Sequence, residues 1–144
     1  MSSSMVSLGL YISSVLGEIT RLQPRFDAVP TDVKNVLGIF FTGGSPKARN
    51  LDIGNYGLHQ AKLVINIQTG DLEEEVLWGY EACEKIVHKL SVIHHVTVST
   101  AAGGIRVMQF NITTEPRFVG FNNNGYAMFS LTASVQYGRN QEVN

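Results

Sequence analysis

The side chains with most chemical scope here are Cys83, the pair His94-His95, the run Glu73-Glu74-Glu75 and the loop TGGSPKARN from Thr42 to Asn50. A cysteine acts as a nucleophile only beside a base and in an exposed, electropositive setting. Cys83 instead falls on the apolar stripe of a predicted helix, which makes it a core residue. Two adjacent histidines in a strand face opposite ways, and no cysteine or carboxylate stands at a metal-ligand spacing from them. Paired carboxylates can do acid–base work, but three glutamates opening a helix are explained by the positive end of the helix dipole. A phosphate loop requires G-x-x-x-x-G-K-[ST] running straight into a helix. Here Gly43 and Gly44 are adjacent, Pro46 follows, and the next element reads as a strand. Lys47 and Arg49 could touch a nucleic-acid backbone, against the plainer reading of a solvated loop. No serine–histidine–acid arrangement can be recognised from spacing in one chain. These residues point away from catalysis, and no metal or cofactor is expected.

The elements that must position these residues follow from hydrophobic period. Met5, Leu8, Ile12, Val15, Leu16 and Ile19 recur in steps of three and four, predicting a helix over 4–22 that Ser3 or Ser4 can cap and Pro24 ends. Arg21 to Asn35 reads as connector. Val36 to Phe41 is a short apolar run rich in β-formers, a strand that Thr42-Gly43-Gly44-Ser45-Pro46 breaks. Lys47 to Leu58 has no period and is expected as a long loop. From His59 to Gln68, Ala61, Leu63, Ile65 and Ile67 alternate with polar residues, as in a half-buried antiparallel strand.

The strongest helix signal runs from Asp71 to His88 or Leu90. Asp71 and Glu74 form an acidic relative of the capping box, and Leu72, Val76, Tyr80, Cys83, Val87 and Leu90 make the stripe. Ser91 to Thr100 is ambiguous, with Val92, Val96 and Val98 compatible with a short strand. Ile105, Val107, Phe110 and Ile112 lie in a strand that Glu115-Pro116 closes. Asn123-Asn124-Gly125 is a turn signal, and Tyr126 to Tyr137 form a final strand with a phase slip near Ser130. The expected fold is a single α+β domain, one mostly antiparallel sheet of four to five strands packed against two helices, in the order α-β-β-α-β-β.

Bulk properties set wide limits. The chain has 144 residues, 44% of them hydrophobic, which suits one globular domain. With 11 basic against 12 acidic residues, charge gives no argument for nonspecific binding to nucleic acid or an anionic membrane. One cysteine cannot form an internal disulfide. The opening MSSSMVSLGLY lacks the basic region and long apolar core of a secretion signal, and no window approaches ~20 apolar residues, so a cytosol-made protein that spans no membrane is expected.

In serial order, Ile39-Phe40-Phe41-Thr42-Gly43-Gly44 with Pro46, the strand Leu63 to Gln68, the helix Asp71 to Leu90, Glu115-Pro116-Arg117-Phe118-Val119-Gly120, Asn123-Asn124-Gly125-Tyr126 and the strand Met128 to Val135 resemble the tail terminator proteins of long-tailed bacteriophages. These are the group often labelled phage minor capsid protein. The chain departs from their pattern at Tyr126, where an arginine is usual, and at Ser45, which separates Gly44 from Pro46.

The resemblance implies a structural virion protein rather than an enzyme. It would be made in the host bacterial cytoplasm and located at the tail–neck junction. There a ring, typically a hexamer, ends the tail tube, stops tube polymerisation and presents the surface that joins the head connector. Its partners would be itself, the tail tube protein and a connector or stopper protein, with DNA passing only transiently through the lumen. The loop Gly43, Gly44, Ser45, Pro46, Lys47 and Arg49 is the expected contact loop, with Lys47 and Arg49 facing the lumen. The turn Phe121, Asn122, Asn123, Asn124 and Gly125 is the second. Rival readings are another head–tail joining (stopper or completion) or tube-type subunit, and a small-molecule-binding α+β domain or enzyme.

Overall fold

The computed structural model describes residues 4–26, 29–46, 59–100 and 103–139. Along the chain run α1 (Ser4–Thr20), β1 (Gln23–Arg25), β2 (Val36–Pro46), β3 (His59–Gln68), α2 (Glu73–Ser91), β4 (His94–Thr100), β5 (Gly103–Phe121) and β6 (Ala127–Arg139). The class is α+β with two helices. The sheet, however, has six strands in the order β1-β2-β3-β6-β5-β4 and is mixed, because β1 runs parallel to β2. This corrects the expected four- to five-stranded, mostly antiparallel sheet in the order α-β-β-α-β-β. Two strands are missing from that order: β4, which falls in the ambiguous stretch Ser91 to Thr100, and β1, three residues inside a proline-bearing connector. Pro24 lacks a ladder donor, which an outermost strand tolerates.

Two further boundaries move for a related reason. Strand β2 does not stop at Phe41 but continues to Pro46 through a bulge between Phe41 and Gly43. Beyond Gly38 its outer side has no strand partner among the described residues, so the absent N–H of Pro46 breaks no ladder there. Strand β5 likewise passes through Glu115-Pro116 to Phe121, because these two residues sit within a register shift between Thr114 and Arg117.

Strand β6 is the regular one: Ala127, Phe129, Leu131, Ala133, Val135 and Tyr137 all face the core without a phase slip. The slips lie in β5, whose register against β6 shifts four times. Each extra residue flips the parity, so Val107 and Phe110, three apart, share the core face. Bulges also bend and twist a strand. The sheet is curled enough that α1 touches β1 and β2 at one end and β4 and β5 at the other.

Both helices cover the same face. In α1, Leu8, Ile12 and Leu16 are buried, and Arg21, at a φ of 64°, ends the helix in the left-handed region. In α2 the inward line is Gly79, Ala82, Cys83, Ile86 and Leu90. They meet Leu37 and Ile39 of β2, Leu63, Ile65 and Ile67 of β3, and the inward side chains of β5 and β6. No helix among the described residues is long and apolar enough to cross a membrane.

Candidate interaction surface

Exposed aromatic side chains gather where the first turns of α2 meet the end of β5. A bulge between Phe118 and Gly120 leaves Val119 unpaired, so Phe118 opposes Phe129 and Phe121 opposes Ala127 on the same face. The two rings meet edge to face, with centroids 5.2 Å apart. Phe118 also lies 5.5 Å from Phe129, and Tyr80 sits 4.9 Å from Phe129 at an interplanar angle of 76°. Phe129 is buried, whereas Tyr80 and Phe121 are 47% and 56% exposed. Leu77, one helical turn before Tyr80, is exposed beside them. The result is a shelf of aromatic rings fixed from below by one buried ring.

Gly79 makes this seat. A Cβ there would fall 2.0 Å from Phe129 Cε1, so only glycine lets the helix lie directly on the ring. The helix itself starts one residue later than its acidic signature suggests. Leu72 is the N-cap, and its amide donates to Glu75 Oε1 at 3.2 Å, so Glu75 rather than Glu74 closes the capping arrangement. Lys34 Nζ donates to Glu75 Oε2 at 2.9 Å. The Lys34 bond first, and then the Leu72 amide, hold the buried Glu75 carboxyl below the usual glutamate range, while Glu75 raises Lys34. Gly70 leaves room for this carboxylate, since a Cβ there would lie 2.0 Å from Glu75 Oε1.

The turn Phe121 to Gly125 proves to be an internal clamp as well as an exposed tip. Asn122 Oδ1 accepts from the amides of Asn124 (2.7 Å) and Tyr126 (3.0 Å). Asn122 Nδ2 donates to the Thr31 carbonyl (3.0 Å) and to Gln68 Oε1 (3.1 Å), and Asn124 Nδ2 also reaches the Thr31 carbonyl. The buried Gln68 amide in turn donates to the carbonyls of Pro30 (2.8 Å) and Val33. The connector 29–35 is thereby stitched to the turn. Gly125, at a φ of 82°, allows the reversal. Only Phe121 and Asn123 remain as outward contacts with no such commitment, so the sequence signal for a turn located the place but not its inward role.

The expected contact loop is divided. Gly43, Gly44, Ser45 and Pro46 are strand residues paired with Lys62, Ala61, Gln60 and His59, respectively. Lys47 and Arg49 lie outside the described residues. The described part of the loop, Gly43 to Pro46, lies toward the Tyr137 end of β6, away from the aromatic shelf at Ala127 to Phe129.

The remaining candidates stay apart. Cys83 is buried, and burial pushes its thiol up to about 11. His94 and His95 are exposed, His95 with a φ of 51° and no partner in the β4–β5 register. No group of three or more metal-ligating side chains gathers among the described residues. A cleft of about 300 Å³ lies between the end of α1 and the outer side of α2, lined by Arg21, Asn35, Trp78, Glu81 and Lys85 among others. Arg21 and Asn35 both adopt a φ of 64°. Both have structural duties there, Arg21 bonding back to Gly17 and Asn35 tying β1 to β3 through its own amide and carbonyl.

No protein-family model matches the chain, and no curated protein matches it.

Proposed function

We propose that the chain is a structural virion subunit that assembles as a ring, a hexamer in this reading, on the finished tail tube of a long-tailed phage. The ring stops tube polymerisation and offers the head connector a surface, at the tail–neck junction, while DNA passes through its lumen. The observation that supports this best is the aromatic shelf of Tyr80, Phe118 and Phe121 on buried Phe129. Exposed apolar surface of this kind marks a protein contact, and aromatic rings fixed before binding lose little entropy on docking. The shelf is assigned to the contact with tube or connector. The choice of tube and connector as partners rests on the resemblance of the chain from about Val36 to Val135 to tail terminators.

Light-scattering mass and negative-stain images of the purified protein, alone and mixed with isolated tail tubes, test the reading. Rings, or caps at one tube end, are expected. Protein that does not bind tube ends, whether or not it forms rings, would overturn it. The Trp78 cleft favours one second reading, a small-molecule-binding domain. A saturable change in Trp78 fluorescence on screening metabolites, with no effect of tubes, would select it.

A further inference from the structure

Among the described residues the sheet ends in two edges of unlike character, each with backbone groups that no strand pairs. Strand β4 pairs only with β5 among the described residues, and its sequence HHVTVST holds no proline, lysine, arginine or carboxylate. Natural edge strands are ordinarily blunted by such residues. At the other edge, β1 guards β2 only from Val36 to Gly38. From Ile39 to Pro46, β2 pairs with β3 alone among the described residues.

The apolar surfaces beside the two edges match. Val96 and Val98 of β4 are partly buried against the core, and Val92 just before them is exposed. Beside β2, Met5, Val6, Gly9, Leu10, Phe26 and Phe41 form a trough of about 340 Å³ without a charged side chain. Phe41 opposes Leu63 and Val96 opposes Val107, and both partners are core residues, so trough and valines lie on the helix side of the sheet. A sheet continued from one chain to the next keeps that side in common. The free lengths also agree, seven residues in β4 against eight in β2.

We propose that β4 of one copy adds to the open edge of β2 in the next. Its valines then extend over the trough, and the backbone groups of each edge satisfy those of the other. The contact is head-to-tail, the kind that closes into a ring. It rests on the ring reading above and names the surfaces that would build it.

Two variants test the contact. Thr97→Lys with Ser99→Lys puts charge on exposed positions of β4 that do not face the core. Chains carrying Thr42→Cys, mixed with chains carrying Thr97→Cys and treated with a short bismaleimide, report whether the two edges meet. Thr42 and Thr97 are both exposed, while the native Cys83 is buried. The expected result is a Thr42–Thr97 crosslink in the mixture, none between Thr97→Cys chains alone, and loss of the oligomer in the folded lysine variant, on tubes as well as free. Rings that persist in the lysine variant, or the absence of the mixed crosslink, would overturn the edge contact and leave the ring reading intact. Crosslinked oligomers that ignore tail tubes would uphold the edge contact and overturn that reading.

Discussion

Replacing Gly79 by alanine sets two effects of known sign against each other. In an exposed helix interior the change stabilises by about 1 kcal/mol, because alanine loses less backbone entropy than glycine. Here the new methyl group would lie 2.0 Å from Phe129 Cε1, where ordinary contact begins near 3.4 Å, so the ring must retreat by more than an ångström. Phe129 is buried, with the rings of Tyr80 and Phe118 packed against it. Overpacking of this kind costs about 1–3 kcal/mol, and a 2.0 Å approach belongs at the upper end. The net expectation is a loss of about 1–2 kcal/mol, or a fall in Tm of about 3–6 °C for a domain of this size. Differential scanning calorimetry measures it. Adding Phe129→Leu should then make the double variant more stable than the sum of the single effects predicts, since the colliding ring atoms are gone. A rise in Tm for Gly79→Ala, or strict additivity with Phe129→Leu, would refute the claim that Gly79 exists to seat that ring.

Three other predictions use the same network. Asn122→Ala removes both acceptor and donor bonds of the clamp and should cost about 1–3 kcal/mol in urea unfolding, with Asn122→Asp in between because it keeps the acceptor oxygen for Asn124 and Tyr126. Glu75 is held below the ordinary glutamate range, so its charge stabilises the fold above that range and ceases to do so as pH falls through its lowered value. The Tm deficit of Glu75→Gln should therefore be present at neutral pH and vanish in strong acid, and a deficit independent of pH would contradict the bond to Lys34. Cys83, with its thiol raised to about 11 by burial, should react with Ellman's reagent only as fast as the protein opens; rapid stoichiometric labelling of the native form would contradict its placement.

Where side-chain period was regular, the sequence could be read directly. Leu8, Ile12 and Leu16 of α1 and Ala61, Leu63, Ile65 and Ile67 of β3 face the core as their spacing predicts. The second helix was placed correctly but turned: Leu72 and Tyr80, expected on its inner stripe, are exposed, while Gly79 and Ala82 are buried. Small residues carry little hydrophobic signal, yet they allow the closest approach to the sheet. Register in β5 was hidden because extra residues such as Val119 shift parity without changing composition. The apparent slip at Ser130 came from reading Met128 as inward in place of Phe129. Strand β1 was too short for a period, and prolines 46 and 116 read as stops because the sequence does not show which strand sides lack partners or where register shifts. The aromatic shelf was half visible. The turn signal includes Phe121, but nothing in the sequence joins it to Tyr80 and Phe118, which the bulge and the buried Phe129 ring bring beside it.

We propose above that this chain ends tube growth. The most direct test of that proposal is extension of isolated tail tubes by purified tube subunit, followed by electron microscopy, with and without prior addition of this protein. Tubes that stop lengthening and carry a ring at one end are the predicted result. Tubes that grow at the same rate and to the same length in its presence would contradict the claim.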